Sequence, residues 1–343
     1  MRRVRPWVTL TDPEAPADRL RFDRVRRWGR LCTWARHHGL HLVLLYNLER
    51  TGPAHVPPHL LEGLRTTRAN AVARRLALAH AFRGVARALD RARVEALLLK
   101  GPAAARCYPS PNMRPSHDID LLIRRADLDS ARRAIEDLGY QDAEPEKAAE
   151  FIRRMGEMTY VLPNPMPVQV ELHWRLINSP SLARGRPCDT EALMAAARTI
   201  DLEGFPARVP AGAQNLFSLA MHAAAGHQVR RLIWVLDIAQ QLRRGADDVD
   251  WSAFVTLVQR ERAALPAGHP LWLASHLYGV SAPAEVMRAL APHRGLRPWL
   301  AGRILGPARV SGMPGRCFDL CRIQFRQACK VRMKADPETV SCP

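Results

Sequence analysis

The sequence predicts an α+β protein: a small mixed β-sheet with flanking helices, carrying large N- and C-terminal helical additions. Three observations point there. Short apolar runs of strand length gather between residues 94 and 176. Within that stretch strand-like and helix-like runs follow one another in the order β-α-β-α-β-β. On either side of it, apolar positions recur at helical spacing. The reading is a helical segment over 1–93, a core at 94–176 and a helical domain over 177–343.

Taken in order, residues 1–16 carry Pro6, Pro13 and Pro16 and read as irregular. From Asp18 to Arg50 the spacing of Leu31, Trp34 and Leu40, then Leu42, Leu45 and Leu48, predicts two helices broken near Gly39. A loop follows at Gly52-Pro53 to Pro57-Pro58. A long helix over 59–93 places Leu60, Leu64, Val72, Leu76, Ala79, Val85 and Leu89 on one stripe. Glu95 to Leu99 is a strand, Lys100-Gly101-Pro102 a turn, and Ala103 to Tyr108 a helical turn that Pro102 can open. Residues 109–116 are a loop. Asp118 to Ile123 alternates acid and apolar residues at strand period. Arg125 to Leu138 is a helix closed by Gly139. Met158–Leu162 and Val168–Trp174 are strands, joined as a hairpin through Asn164-Pro165-Met166-Pro167. From Thr190 onward the pattern is mostly helical, with helices expected at 213–226, 229–244, 251–264, 270–278, 283–290 and 316–334.

Composition bounds the function. The chain of 343 residues can bury a real core, and its 47% apolar and 24% charged content is that of a globular domain. The formal net charge is +18, which invites a nucleic-acid reading. Yet only Lys100, Lys147, Lys330 and Lys334 are lysine, and the arginines that make up the rest are spread along the chain. A generally basic surface explains this better, and nucleic acid is a possible but not the favoured partner. Seven cysteines, an odd number without CxxC spacing, exclude a secreted disulfide framework; Cys317, Cys321 and Cys329 lack a familiar fourth ligand. No apolar run approaches membrane-spanning length, and no apolar segment follows the basic N-terminus. The expectation is a cytoplasmic chain with no membrane partner.

The chemistry centres on Asp118 and Asp120. One residue apart on a strand, both carboxylates share a face, while Ile119, Leu121 and Ile123 face the core. Like charges that close raise each other's pKa unless something positive sits between them. Hard oxygen ligands of this kind suit Mg²⁺, or Mn²⁺, shared with substrate phosphates. Glu171 lies on another strand, on one face with Gln169 and His173. Brought beside the two aspartates it would complete a site for two ions. The Lys100-Gly101 turn offers close backbone approach and a point charge to an anion, and Arg114 could grip a phosphate through two donors. The plain alternatives are a solvated strand edge for the aspartates and ion pairs among the many arginines for Glu171, Lys100 and Arg114. His173 is a further candidate for substrate contact. His117 should face away from Asp118 by strand alternation, and His222, Trp234 and Asp237 fit packing and a buried hydrogen bond better than catalysis.

Together, Leu99-Lys100-Gly101, Tyr108-Pro109, Arg114, Asp118-Ile119-Asp120-Leu121-Leu122-Ile123, Leu138-Gly139-Tyr140 and Val170-Glu171-Leu172-His173-Trp174 resemble the uncharacterised nucleotidyltransferase family of the DNA polymerase β-like superfamily. His222, Arg231-Leu232, Trp234 and Asp237 look like its C-terminal helical pattern, and the resemblance spans roughly residues 30–300. In the wider superfamily the strand before the acids usually ends in Gly-Ser; here it ends in Lys100-Gly101, so phosphate would be held with a different geometry. The resemblance implies a nucleotidyltransferase sheet and metal-dependent transfer of a nucleoside monophosphate from a triphosphate such as ATP. Asp118, Asp120 and Glu171 would be catalytic metal ligands, and Lys100, Gly101, Arg114 and His173 would contact substrate. It leaves the acceptor open: a small molecule, peptide or saccharide. The competing expectations are a non-catalytic nucleotide- or partner-binding module of the same fold, and a transferase acting on RNA ends.

Overall fold

The computed structural model describes residues 6–163, 167–176, 190–312 and Phe325. The helix expected at 316–334, the residues joining the expected hairpin, and Cys188, Cys317, Cys321, Cys329 and Cys342 lie wholly or largely outside these described residues.

Helix α1 (Trp7–Leu10) is followed by α2 (Trp28–His37) and α3 (His41–Thr51). They break where expected, because Gly39 takes a φ of +73°, a left-handed value that ends a helix at no steric cost. The long helix α4 (Pro58–Arg91) starts on a proline, whose missing N–H has no helical partner at that position. Its buried side differs from the expected stripe. Leu76 is 51% exposed, and Leu78, Phe82, Val85 and Leu89 form the buried side of its second half. The packing partner, rather than helical period alone, chose which leucine turned inward.

Five strands form the main sheet: β1 (Ala96–Leu99), β2 (Asp118–Ile123), β3 (Gln141–Asp142), β4 (Glu157–Leu162) and β5 (Val168–His173). Their spatial order is β1-β2-β5-β4-β3, with β2 and β5 parallel and every other pair antiparallel. The sheet is therefore mixed, as expected, and β4–β5 is an antiparallel pair. Helices α5 (Gly101–Ala105), α6 (Leu128–Glu136) and α7 (Ala148–Arg154) fill the connections.

Beyond the sheet come α8 (Thr190–Ala195) and a hairpin, β6 (Ala197–Asp201) with β7 (Pro206–Pro210). This hairpin interrupts the helical pattern expected from residue 190. Ile200, Leu202, Ala207 and Val209 pack with the sheet's own core, so its short alternation is stabilised by that contact. The helices α9 (Gly212–Met221), α10 (Leu232–Arg244), α11 (Trp251–Arg260), α12 (Ala264–Tyr278), α13 (Ala284–Leu290), α14 (Leu296–Ile304) and α15 (Pro307–Val310) complete the described chain. No helix among the described residues is long and apolar enough to cross a membrane.

The two faces of the sheet have different neighbours. Leu98, Ile119, Leu121, Ile123, Val170 and Leu172 pack on α4 and α6 in one core. Leu97, Leu99 and Leu122 face the other way, into a larger core built with α2, α3, α9, α10 and α12. Period two assigns Asp118 and Asp120 to this second face, so the acids point into the seam between the sheet and the helical half.

Candidate active site

Register brings the acids together. Asp120 pairs across β2–β5 with Glu171, and Leu122 with His173. In a parallel pair, residues in register share a face, so Asp120, Glu171 and His173 stand side by side. One ligand atom from each lies within 4.8 Å of the others, a set able to hold a metal ion. Asp118 lies outside this tight trio but lines the same cavity.

Asp120 is the centre of the site and is only 3% exposed. Its Oδ1 lies 2.7 Å from Lys100 Nζ and 3.0 Å from His173 Nε2. Burial alone would raise the Asp120 pKa, but the Lys100 charge and the His173 hydrogen bond prevail and hold it well below the usual carboxylate range. Lys100 reaches Asp120 because its own backbone turns at a φ of +47°, a conformation that costs a non-glycine residue on the order of 1–3 kcal/mol. The turn continues through Gly101, also at positive φ, where a Cβ would sit 3.3 Å from Ser116 Oγ. Burial opposes the charge on Lys100 too, and again the Asp120 carboxylate prevails and raises its pKa.

His173 is enclosed by three acids. Nε2 also lies 3.4 Å from Glu171, and Nδ1 lies 3.4 Å from Glu157. Burial and the Lys100 charge act to lower its pKa, but the bonds to Asp120 and Glu171 win and push it up to about 9. At Asp118 the charges of Lys100 and Arg114 also favour the carboxylate, but they do not prevail. Burial, then the charges of Asp120 and Glu171, push it up to about 6.

Arg114 is elsewhere engaged. Its guanidinium grips Asp237 of α10 through Nη2 at 2.9 Å and Nε at 3.2 Å. Tyr108 donates to the same carboxylate at 2.7 Å. The partner is thus Asp237, not Asp118 or Asp120, and Asp237 has the buried structural role expected of it. This cluster pins the 108–114 segment to α10 and so fixes the helical half over the sheet.

The cavity between them holds about 690 Å³, a size suited to a nucleotide. Lys100, Gly101, Arg114, Asp118, Asp120, Glu171 and His173 all line it, so the structure gathers every site residue proposed from sequence. It adds Glu157 and His227, which the sequence alone did not single out, and brings in His117, His222 and Trp234, which were expected to lie away from the chemistry. Glu157 pairs in register with His173 across β4–β5, a placement that the alternation of β4 foreshadows once pairing is known. His117 lines the cavity rather than facing away, because it precedes β2 and strand alternation does not reach it. His222, His227 and Trp234 form an aromatic wall, with His227 stacked on Trp234 at 4.2 Å. His222 begins a turn of π-helix, a distortion frequent at functional sites.

A mixed sheet that turns acids from adjacent parallel strands toward a nucleotide-sized cavity places the chain in the nucleotidyltransferase class. The chain belongs to the uncharacterised nucleotidyltransferase family, whose pattern matches residues 25–279. No curated protein matches the sequence. Among solved structures, an antigenic nucleotidyltransferase-like protein from Paracoccidioides brasiliensis is similar at 15% identity and a TM-score of 0.35, over 62% of this chain and 96% of that one.

Proposed function

We propose that this chain is a metal-dependent nucleotidyltransferase that moves a nucleoside monophosphate from a nucleoside triphosphate to an acceptor hydroxyl or amine. The supporting observation is the convergence of Asp120, Glu171 and His173 at the floor of the cavity. The donor set fits one divalent cation: two hard oxygens and an imidazole nitrogen, which His173 offers once the arriving cation displaces its proton. That nitrogen suits Mn²⁺ better than Mg²⁺. A cation held there would neutralise charge on the reacting phosphates and lower the pKa of the acceptor. Asp118, adjacent and raised toward neutrality, is the proposed ligand for a second ion and a proton acceptor. Glu171 holds His173 in place from one side and Glu157 from the other. Lys100 neutralises Asp120 and keeps the acid trio compact when substrate is absent. The contribution of the protein is positioning and charge neutralisation, as in phosphoryl transfer generally. The proposed setting is the cytoplasm.

The test is incubation with each labelled nucleoside triphosphate, Mn²⁺ or Mg²⁺, and an extract of source cells, reading pyrophosphate release and the labelled product. Asp118→Asn combined with Asp120→Asn should abolish release. Unchanged release in that variant would rule the assignment out.

One observation favours a second reading, a nucleotide-binding module without turnover. Lys100 already occupies the Asp120 oxygen that a metal would use. Calorimetric binding of ATP with no pyrophosphate release under any metal would select that reading.

A further inference from the structure

The cavity that holds the acids is also lined by two cations with no acid paired to them among the described residues. Arg36 lies in the last turn of α2, and Arg231 immediately precedes α10. Both line the cavity that holds Asp118, Asp120 and Glu171. Both are exposed, and neither guanidinium makes a hydrogen bond or ion pair among the described residues. Lys100 and Arg114, the other two strong cations of the lining, are already committed to Asp120 and Asp237.

The two arginines are held in place through the backbone around them. The Leu232 N–H donates to His38 Nδ1 at 3.3 Å, and the Ile233 N–H donates to the His38 carbonyl at 3.1 Å. His38 follows Arg36 by two residues, and Leu232 follows Arg231 directly, so one junction fixes both positions. The segment leading to Arg231 is also strained. Gln228 and Val229 adopt φ of +47° and +53°, and a β-branched residue rarely takes such values. Val229 is fully buried, and Gln228 Nε2 donates to the carbonyls of Ala225 and Gly226 at 3.2 and 3.0 Å. Strain of this kind persists where surrounding structure enforces it, and it gathers at ligand clamps.

Neighbouring groups report the same crowding of positive charge. His41 and His117 also line the cavity. Burial first, then the Arg36 charge, pushes His41 down to about 4. Burial, then Arg74, Arg114 and Arg231, lowers His117. Cations that line a cleft without a paired acid favour an incoming anion. Among anions, phosphate matches the planar donor fork of arginine through two bonds at once.

We propose that Arg36 and Arg231 form an anion-binding wall that holds the phosphate chain of the incoming nucleoside triphosphate, leaving Lys100 and Arg114 as positioning residues. The identity of the anion rests on the nucleotidyltransferase reading above; the anion site itself does not. A nucleotide and a phosphorylated acceptor share this chemistry, so the experiment separates them.

The measurement is calorimetric titration of the full chain with inorganic tripolyphosphate, ATP and adenosine, without divalent metal. The wild-type protein should bind tripolyphosphate and ATP in competition, and adenosine far more weakly. Arg36→Gln and Arg231→Gln should each weaken both polyphosphates roughly tenfold, and Arg36→Lys or Arg231→Lys by less, since a charge without a fork remains. Thermal midpoints should stay near wild type, because both side chains are exposed. Retention of wild-type affinity within about twofold in the double glutamine variant would overturn the proposal, as would a wild-type protein that binds neither polyphosphate. Simultaneous binding of ATP and tripolyphosphate would overturn the nucleotide assignment and give the wall to a phosphorylated acceptor. If tripolyphosphate binding is arginine-dependent but no nucleotide is ever turned over, the wall stands and the transferase reading falls.

Discussion

Asp120 and Asp237 are both almost fully buried, and both carry a cation and one further hydrogen-bond partner. Their surroundings differ. Asp237 meets the planar fork of Arg114 through two donors and the Tyr108 hydroxyl as well, and it does not line the cavity. Asp120 meets a single ammonium and an imidazole, beside two more acids and open volume. A fork locked between two elements is a fixed joint, whereas a point charge and a metal-binding ring can give way to an arriving cation. The same residue type thus builds the frame at one place and belongs to the proposed metal site at the other, 117 residues apart in sequence.

The largest expected effect breaks the comparison from the Asp120 side. Asp120→Asn should lower pyrophosphate release on the order of a thousandfold, read in the labelled-nucleotide assay. Release within tenfold of wild type would mean that Asp120, like Asp237, is only structural. From the other side, Asp237→Ala should destabilise the fold by about 3–5 kcal/mol in urea unfolding, because it leaves the Arg114 charge buried alone. Replacing both partners, Arg114→Met with Asp237→Leu, should recover much of that loss. Failure to recover would assign the cluster more than a framing role.

A subtler experiment sharpens the contrast. Lys100→Met leaves Asp120 without its counter-ion and should destabilise the protein by about 1–3 kcal/mol. Millimolar Mn²⁺ should restore part of this, since a ligand that binds only the folded state stabilises it. The Arg114→Met loss should not respond to Mn²⁺. Equal responses would erase the distinction.

The smallest effect lies outside both clusters and serves as their control. His269 is fully buried, bonds His293 at 2.9 Å, and is pushed down to about 3 by burial, then by the His293 charge. Its folded pKa lies below its unfolded value, so the unfolded chain binds the extra proton first. The contribution is complete above about pH 6.5 and declines by roughly 1 kcal/mol per pH unit on acidification toward 3. Urea unfolding of wild type and His269→Gln between pH 7.5 and 5 should show a shallower decline in the variant. Parallel declines would place the acid sensitivity elsewhere.

Much of the sheet was legible before the structure, because strand period is local. Alternation alone put Asp118 and Asp120 on one face and Ile119, Leu121 and Ile123 on the other, and the structure has that division. Gly39 and Gly139 marked helix ends for the same local reason, a positive φ that glycine adopts freely. The β6–β7 hairpin was not legible, since its alternating apolar residues are stabilised by a core formed far away in sequence. Leu76 and Leu78 were likewise indistinguishable until α4 met its partners.

By itself, then, the sequence determined the strand that bears the acids, the face they share and the family to which the chain belongs. Tertiary structure decided the pairings. Which acid Arg114 would meet, which cation would neutralise Asp120, and that Arg36 and Arg231 would line the same cavity as the acids all depend on contacts between distant segments. The physical reason is that arginine is abundant and long in reach, so residue type leaves many partners open. Only the packed seam between sheet and helices brings particular pairs within bonding distance.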